Sequence, residues 1–281
     1  MKQRTITSVA ILAYMLLVVL FSKYIVYPIA IALFTLIAIH EIQKVTGVNK
    51  KLLIAIPACI MAVAFPTFAY FVTVDNANEF LLILFAVMFI YLLWMMAISI
   101  FSKGSISFKT ISETFATTVY VVVSFTSLSL LRYLDRDCGV FAVVLVFIVA
   151  WACDVFAYAV GMLIGKHKLI PEISPKKTVE GSIGGVVFSA LACIIYGLCL
   201  EIMVDGMTVN YVVLGLIGAI LSVVSQLGDL IASMIKREYG VKDYGKLFPG
   251  HGGVMDRFDS VLAVSTILLI ICLVIPPFVI A

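Results

Sequence analysis

The sequence predicts an all-α membrane protein, a helical bundle with about nine transmembrane helices. Of its 281 residues, 63% are hydrophobic and 12% are charged, whereas a soluble domain has about 25% charged residues. The apolar residues form runs long enough to cross a bilayer, which takes about 20 residues. Composition therefore excludes a water-soluble protein, and the net charge of +3 is too small to indicate binding of nucleic acid.

Nine apolar segments are candidates for these spans. The first two are short and nearly fused, and the sixth is interrupted by Asp154. The N-terminus resembles a signal peptide, but a second apolar run follows at once without a small-residue cleavage site, so we expect an uncleaved first span. In chain order the segments are 5–22, 24–40, 52–74, 80–102, 115–131, 139–165, 181–200, 207–231 and 260–281.

The distribution of Lys and Arg predicts the orientation of the bundle. With nine spans and a cytoplasmic N-terminus, the outer loops hold only Lys23, Arg132 and Arg136, and the inner loops hold the other 16 of the 19 basic residues. Cytoplasmic loops carry the excess of Lys and Arg. We therefore expect an integral membrane protein, in the inner membrane if bacterial, with two polar loops, 166–180 and 232–259, on the cytoplasmic side.

We divide the chain into an N-terminal scaffold of transmembrane helices, residues 1–138, and a C-terminal catalytic region, residues 139–281. The catalytic region carries both polar loops. The six cysteines show no metal-ligand spacing, so we interpret them as small apolar residues. No segment is left for a separate soluble domain, so any chemistry is expected at the inner membrane surface.

Two aspartates interrupt apolar segments. A carboxylate at membrane depth is costly unless it has a partner, so Asp154 indicates a functional site or an internal ion pair; a carboxylate that simply reaches water at the end of a span is the alternative. Asp229, Ser233, Lys236 and Arg237 share one stripe of a helix by their spacing. Cations that reach the headgroups would explain Lys236 and Arg237, but not the deeper Asp229.

The loop 232–259 combines carboxylates, cations and a Gly-His-Gly-Gly turn. Asp229 and Asp256 come from neighbouring spans and repel each other unless a cation lies between them, which suits Mg²⁺ bound to carboxylates and phosphates. The turn at Pro249–Gly253 can bring backbone N–H groups close to phosphate oxygens. A basic loop attracted to anionic lipid needs neither the aspartates nor the glycines.

The loop 166–180 repeats this combination. It contains four lysines, and Ser174 or Thr178 could cap the helix that follows. A basic loop before a helix N-terminus can also bind an anion, and the two interpretations are compatible. Serine nucleophile chemistry is not expected, because no GxSxG elbow occurs. For His251, a direct role and an ordinary loop position both stay open.

The order of these residues resembles the signature of phosphatidate cytidylyltransferases (CDP-diglyceride synthases). The resemblance covers roughly residues 150–281. One position departs from the family pattern, because Met162 stands in the GMLIGK stretch where a basic residue is common. The matching motifs are Asp154-x-x-Ala157-Tyr158, Ser174-Pro175-Lys176-Lys177-Thr178-x-Glu180-Gly181, Gln226-x-Gly228-Asp229, Ser233-x-x-Lys236-Arg237, Lys242-Asp243 and Pro249-x-His251-Gly252-Gly253-x-x-Asp256-Arg257-x-Asp259.

This resemblance implies transfer of CMP from CTP to phosphatidic acid, with CDP-diacylglycerol and pyrophosphate as products. It implies Mg²⁺ on Asp229 and Asp256, a second ion such as K⁺, and a homodimer. Asp259 is expected to orient Arg257. The expected catalytic residues are Asp154, Asp229, Lys236, Asp243, Asp256 and Arg257. The expected substrate-binding residues are Ser174, Lys176, Lys177, Ser233, Arg237, Lys242, His251, Gly252 and Gly253.

Two other functions remain as alternatives. Another CTP-dependent lipid enzyme, similar to dolichol kinase or CDP-archaeol synthase, faces the same problem of joining a membrane lipid to nucleotide phosphates. An ion-coupled transporter would instead place charges near the middle of spans in both halves of the chain. Here the polar residues gather in the second half, which favours the enzyme.

Overall fold

The structure is a computed structural model that describes residues 21–102, 106–135, 137–275 and 277–280. Eight helices within these ranges are long and apolar enough to cross a membrane. Each of the last eight candidate segments overlaps one of them, and the polytopic helical bundle is confirmed. Residues 5–20 of the first candidate span lie outside the described residues, so the count of nine and the side of the N-terminus stay predictions.

The described residues form two compact units. The first comprises the residues up to Asp135 together with Asp243–Asp256, and the second comprises residues 137–242 together with those from Arg257 onward. The segment Asp243–Asp256, which we assigned to the C-terminal catalytic region, thus groups with the N-terminal helices. The functional roles assigned to the two regions stay predictions.

The first unit contains four helices, namely α1 (Val26–Val45), α2 (Leu52–Phe68), α3 (Ala77–Phe101) and α4 (Phe108–Tyr133). Helix α1 packs against α2 and α4. Helix α4 is the most buried of the four and α3 the least. Short 3₁₀ turns at Val48–Lys50 and Ala69–Phe71 follow α1 and α2. The interior of this unit is therefore centred on α1 and α4.

Several polar side chains inside the first unit form hydrogen bonds, as expected where water is excluded. The Arg132 guanidinium donates to the Ser22 hydroxyl at 2.9 Å. The Tyr133 hydroxyl donates to the Ser22 carbonyl at 3.0 Å, and the Tyr27 hydroxyl donates to the Leu128 carbonyl at 3.2 Å. These bonds tie the start of α1 to the end of α4.

The second unit contains α5 (Gly139–Ile164), α6 (Val179–Met203), α7 (Tyr211–Glu238) and, from Arg257 onward, α8 (Met255–Val274). Helix α6 packs against both α5 and α7. Between α5 and α6, β1 (Lys168–Ile170) pairs antiparallel with β2 (Ser174–Thr178). A second antiparallel pair joins β3 (Met207–Val209) to β4 (Phe278–Ile280).

The two strand pairs correct the all-α prediction locally. Met207–Val209, assigned to the start of a span, forms β3, because its backbone pairs with Phe278–Ile280. Helix α7 begins at Tyr211 and continues to Glu238, seven residues past the predicted end at 231. Amphipathic turns extend this helix beyond its apolar run, so the limit taken from hydropathy ends too early here.

Candidate active site

The site in the second unit is built around an ion pair between Lys177 and Asp229. The Lys177 ammonium lies 2.5 Å from the Asp229 carboxylate, and each side chain is about one quarter exposed. Lys177 comes from β2 and Asp229 from the last third of α7. The pair therefore joins the two sequence motifs that carry these residues.

Packing around Thr178 sets the position of β2. The Thr178 hydroxyl caps α6 by accepting the Gly181 N–H at 3.2 Å, which confirms one of the two predicted caps. A Cβ at Gly161 or Gly165 would lie 2.8 or 2.7 Å from this hydroxyl. Glycines let helices approach closely, and here they admit the end of β2 against α5.

Glu180, at the end of the loop 166–180, binds the residues at its start. Its carboxylate accepts the backbone N–H of Lys166 at 3.1 Å and of His167 at 3.2 Å. It also lies 2.6 Å from Nδ1 of His167. Thr178 thus caps α6, and Glu180 holds backbone N–H groups at the start of its own loop. Both contacts are structural, and the lysines of the loop are the groups that we consider for a ligand.

A cavity of about 450 Å³ lies beside the ion pair, within the second unit. Ser182 and Gln226, which also line it, hydrogen-bond to each other through Ser182 Oγ and Gln226 Oε1. Its polar wall includes Asp154, Lys168, Lys176, Lys177, Ser182 and Gln226, and its apolar wall includes Ala157, Tyr158, Met162 and Leu169. The cavity thus combines cations with an apolar surface.

Met162 lines this cavity and is 65% exposed. It is the residue that departs from the family pattern, in which a basic residue is common. Lys168, Lys176 and Lys177 line the same cavity. Three lysines therefore line the cavity in which Met162 stands, and the methionine adds apolar surface there.

Charges of both signs surround the cavity. Asp154 interacts electrostatically with Asp229, Lys177 and Arg257, and Asp259 interacts with Asp229, Asp154 and Lys236. Asp229 and Asp259 come close because α7 and α8 pack tightly: a Cβ at Gly228 would lie 2.6 Å from the Asp259 carbonyl oxygen. Three carboxylates and three cations therefore meet in the second unit.

The residues of the predicted stripe, Ser233, Lys236 and Arg237, all lie within helix α7, so the stripe is helical as expected. The Arg237 guanidinium donates to the Ile173 carbonyl at 3.4 Å, a contact between the end of α7 and the loop before β2. Lys242, four residues beyond α7, is exposed. The structure brings Arg237 to the loop 166–180 without placing it in the cavity lining.

In the first unit, Asp256 organises the segment Asp243–Asp256. Its Oδ2 accepts the backbone N–H of Tyr244 at 2.8 Å and of Gly253 at 2.9 Å. Gly252 has φ +85°, and a Cβ there would lie 2.6 Å from Asp256 Oδ2, so glycine is required. The Gly253 N–H, one of the backbone groups of the turn that could approach a phosphate oxygen, binds this carboxylate, and a role of Gly253 in substrate binding stays a prediction.

Asp243 in the same segment is exposed, and His251 is half-buried with Nδ1 3.5 Å from the Pro249 carbonyl oxygen. The backbone of Phe248 pairs with that of Gly252. The segment is thus a closed loop held by its own backbone and by Asp256. The direct role of His251 stays a prediction.

One acidic residue of the first unit was not among the predicted site residues. The buried Glu41 of α1 accepts the backbone N–H groups of Val254 and Met255. It is the only acidic residue among residues 1–74. An isolated carboxylate near the end of an apolar run is the signal that drew attention to Asp154, and it could have identified Glu41 as well.

The predicted residues divide between the two units. Those of the first unit are Asp243, His251, Gly252, Gly253 and Asp256, and those of the second are Asp154, Ser174, Lys176, Lys177, Asp229, Ser233, Lys236, Arg237, Lys242 and Arg257. In the part of the chain that the structure describes, no three His, Cys, Asp or Glu residues are arranged as a ready metal site. Asp229 and Asp256 remain individual candidate ligands.

Comparison with known proteins agrees with these motifs. The sequence profile of the cytidylyltransferase family matches residues 2–275. The chain belongs to the cytidylyltransferase family. The match includes the N-terminal helices, for which the motifs alone gave no resemblance beyond an apolar bundle.

Relatives in the cytidylyltransferase family include proteins named phosphatidate cytidylyltransferase. The Staphylococcus haemolyticus protein is 35% identical, over 95% of this chain and 97% of its own length. The Bacillus subtilis protein is 34% identical, over 95% of this chain and 96% of its own length. The Staphylococcus aureus protein is also 34% identical, over 95% of this chain and 97% of its own length. The similarity therefore spans nearly the full length of each chain.

Proposed function

We propose that this chain is a phosphatidate cytidylyltransferase of phospholipid biosynthesis. It transfers CMP from CTP to phosphatidic acid and forms CDP-diacylglycerol and pyrophosphate. The observation that carries this proposal is the similarity, over 95% of the chain, to relatives of that name. The lysine-lined cavity beside the Lys177–Asp229 pair supports it, because both substrates are anionic and one is a lipid.

The reaction needs charge neutralisation more than it needs a base. A phosphate oxygen of phosphatidate attacks the α-phosphorus of CTP, and the bond to the β-phosphate oxygen breaks as pyrophosphate leaves. The nucleophile is already an anion, so the barrier lies in bringing two anions together in line. Lys168, Lys176 and Lys177 line the cavity and are the cations we assign to the phosphates there.

The size and walls of the cavity fit this assignment. Ligand pockets typically measure about 300–1,000 Å³, and this one measures about 450 Å³. Asp229 holds Lys177 in place through the ion pair, so Lys177 meets a phosphate without first losing side-chain freedom. We assign the phosphate clamp also to Lys236, Arg237, Lys242 and Arg257. Asp154 and Asp243 are assigned to positioning a lysine, water or the nucleotide.

We assign Mg²⁺ coordination to Asp229 and Asp256, with K⁺ as a second ion. Carboxylate oxygens are the hard donors that Mg²⁺ prefers, so the donor type fits. The accumulation of Asp154 and Asp259 around Asp229 also favours a cation there. When bound, Mg²⁺ neutralises the triphosphate and orients it for in-line displacement.

We further propose that the site opens to the cytoplasm and that the protein is a homodimer. The excess of Lys and Arg in loops 166–180 and 232–259 supports the first statement, since CTP is a cytoplasmic nucleotide. The homodimer follows from the family resemblance. Mass measurement of the protein in detergent or in nanodiscs checks it, and a monomeric mass in both would contradict it.

The decisive assay uses the purified full-length protein in nanodiscs. Pyrophosphate release from CTP should depend on both phosphatidate and Mg²⁺, with CDP-diacylglycerol as the lipid product. A panel of lipids, containing polyprenols and ether-linked archaeal lipids beside phosphatidate, separates the alternatives. Turnover only with those other lipids would reverse the assignment, and transport without pyrophosphate release would exclude an enzyme.

A further inference from the structure

Glu41 is a buried carboxylate that the proposed chemistry does not use. It lies near the end of α1 and is 6% exposed. Its Oε1 accepts the backbone N–H of Val254 at 3.0 Å, and its Oε2 accepts the backbone N–H of Met255 at 2.9 Å. All three residues belong to the first unit. Both oxygens therefore bind the segment that contains Asp256.

The two N–H groups stand at the start of α8, where backbone N–H groups have no acceptor inside the helix. Met255 is the first residue of α8, and the first N–H groups of a helix lack acceptors within it. That end of a helix also favours negative charge. Glu41 supplies the acceptors and the charge from a different helix, as a side chain does in a helix cap.

Asp256 completes the same arrangement. It accepts the N–H of Gly253 at 2.9 Å, so three successive N–H groups, those of residues 253–255, bind two carboxylates. Asp256 reaches back to the residue three positions earlier, as the acidic residue of a capping box does. The conformation that presents Asp256 thus depends on both carboxylates.

Two glycines enclose the Glu41 carboxylate. A Cβ added at Gly245 or at Gly253 would overlap its oxygens, so the backbone approaches the carboxylate more closely than any other residue would allow. Gly253 belongs to the Gly-His-Gly-Gly turn, and Gly245 lies just after Asp243. The segment is therefore wrapped around Glu41 at both of its ends.

We propose that Glu41 is a positioning residue for Asp256. By holding the N–H groups of Val254 and Met255, it fixes the start of α8 and the turn before it. Glu41 contacts no reacting atom in this scheme and acts only through the segment that it binds. The inference rests on the proposed function in one respect, that Asp256 takes part in CMP transfer.

The test compares Glu41→Gln and Glu41→Asp with the wild-type protein in nanodiscs. The glutamine has one acceptor oxygen in place of two and turns its NH₂ group toward an N–H donor. We expect kcat per folded protein to fall about tenfold or more, the factor for one charge-assisted hydrogen bond. Hydrogen exchange at residues 253–256 should become faster, and the thermal midpoint should stay near that of the wild type.

Glu41→Asp keeps the charge and shortens the side chain by one methylene, so it should recover part of kcat and of the exchange protection. Glu113→Gln is the matched control, because Glu113 is also in the first unit, is not among the residues assigned to the site, and lies 3.6 Å from the ammonium of an exposed lysine, Lys109. It should behave as the wild type. Recovery by the aspartate distinguishes positioning by charge from loss of packing.

Wild-type kcat and wild-type exchange in Glu41→Gln would overturn the proposal. So would a loss of activity fully explained by the unfolded fraction. If Glu41→Gln does not fold, Glu41→Asp carries the same measurements, and wild-type exchange there would overturn the proposal too. If the wild-type protein lacks CMP transfer, the proposed function fails, whereas the exchange experiment still decides whether Glu41 holds the segment.

Discussion

At the scale of single residues, the Lys177–Asp229 pair ties a charge on β2 to a charge on α7. Neither charge is fully solvated, so each depends on the other. Removal of one partner leaves a partly buried charge without compensation, which costs more than the pair contributes. This asymmetry makes the pair a sensitive point for substitution.

We predict that Lys177→Met lowers CMP transfer about 100-fold or more, because a phosphate loses a positioned cation. The free energy of unfolding should fall by about 1–2 kcal/mol, between the values for exposed and buried pairs. Pyrophosphate release and thermal unfolding measure the two effects. Lys109→Met is the control, since Lys109 is 72% exposed. Retained activity in Lys177→Met would contradict the assignment.

We predict that Asp256→Asn nearly abolishes turnover and leaves the protein folded. The asparagine keeps one acceptor oxygen for the N–H groups of Tyr244 and Gly253 but loses the charge that we assign to Mg²⁺. Activity should fall about 100-fold or more, measured with a Mg²⁺ titration and thermal unfolding. Asp205→Asn, at an exposed position, should be silent. Wild-type activity of Asp256→Asn would refute the metal assignment.

The sequence identified Asp154 and Asp229 because a carboxylate in an apolar run is costly and therefore noticeable. Glu41 carries the same signal, but its partners are backbone N–H groups 213 and 214 residues away. Every residue except proline has such a group, so no side-chain pattern marks the partners. The Asp256 carboxylate was likewise not predicted as an acceptor for the Gly253 N–H, because this contact exists only in the folded loop.

At the scale of secondary structure elements, α7 and α8 approach through Gly228. This contact brings the backbone of Asp259 next to the helix that carries Asp229. Side-chain charges of the two helices then interact. The glycine in the Gly228-Asp229 motif is thus explained by packing, and the chemical role of the aspartate beside it stays a proposal.

We predict that Gly228→Ala destabilises the protein by about 1–3 kcal/mol, the usual cost of overpacking. The added Cβ would lie 2.6 Å from the Asp259 carbonyl oxygen, which is backbone and yields little. Thermal unfolding in detergent measures the effect. Gly215→Ala, on the same helix, meets only the end of the Ile194 side chain at 3.1 Å and should be milder. Equal midpoints for both variants would argue against close packing at Gly228.

Hydropathy predicted which segments form transmembrane helices, but it did not predict the residues at which these helices begin and end. Helix α7 continues past its apolar run because Lys236 and Arg237 suit a helix C-terminus and the membrane surface. The strands β1 and β2 were not predicted, since Lys168–Ile170 and Ser174–Thr178 are too short for a sequence pattern to mark them and are recognised by their backbone pairing. Capping by Thr178 was foreseeable, because threonine before a helix is a common cap.

At the scale of the whole molecule, composition alone predicted a polytopic bundle. The charge pattern adds an orientation that depends on the first span, residues 5–22. Helix α7 offers a direct test of that orientation, because Asp205 precedes it, Lys242 follows it, and both positions are exposed. One spanning helix places its two ends on opposite sides of the membrane.

We predict that a single cysteine at position 242 reacts with a membrane-impermeant maleimide only in inside-out vesicles. A cysteine at position 205 should react only in intact cells. Both variants are made in a background that lacks the six native cysteines, and each serves as the control for the other. The reverse labelling pattern would place the site outside the cytoplasm.

The grouping of Asp243–Asp256 with the N-terminal helices was beyond sequence reasoning, because it depends on contacts between residues far apart in the chain. Hydropathy places a segment in a membrane or a loop and does not say which helices it packs against. The boundary proposed at residue 138 could therefore describe only a linear division of the chain.

The hydrogen bonds of Glu41 also bear on how the protein is made. Val254 leaves the ribosome 213 residues after Glu41, which at ordinary rates of translation is a delay of roughly 10–40 s. During that interval α1 is already synthesised, and the donors that Glu41 binds in the native state do not yet exist. The nascent chain must carry this glutamate near the membrane, hydrated, protonated or bound elsewhere, until almost the last helix emerges. The segment that presents Asp256 is accordingly one of the last parts of the protein to mature.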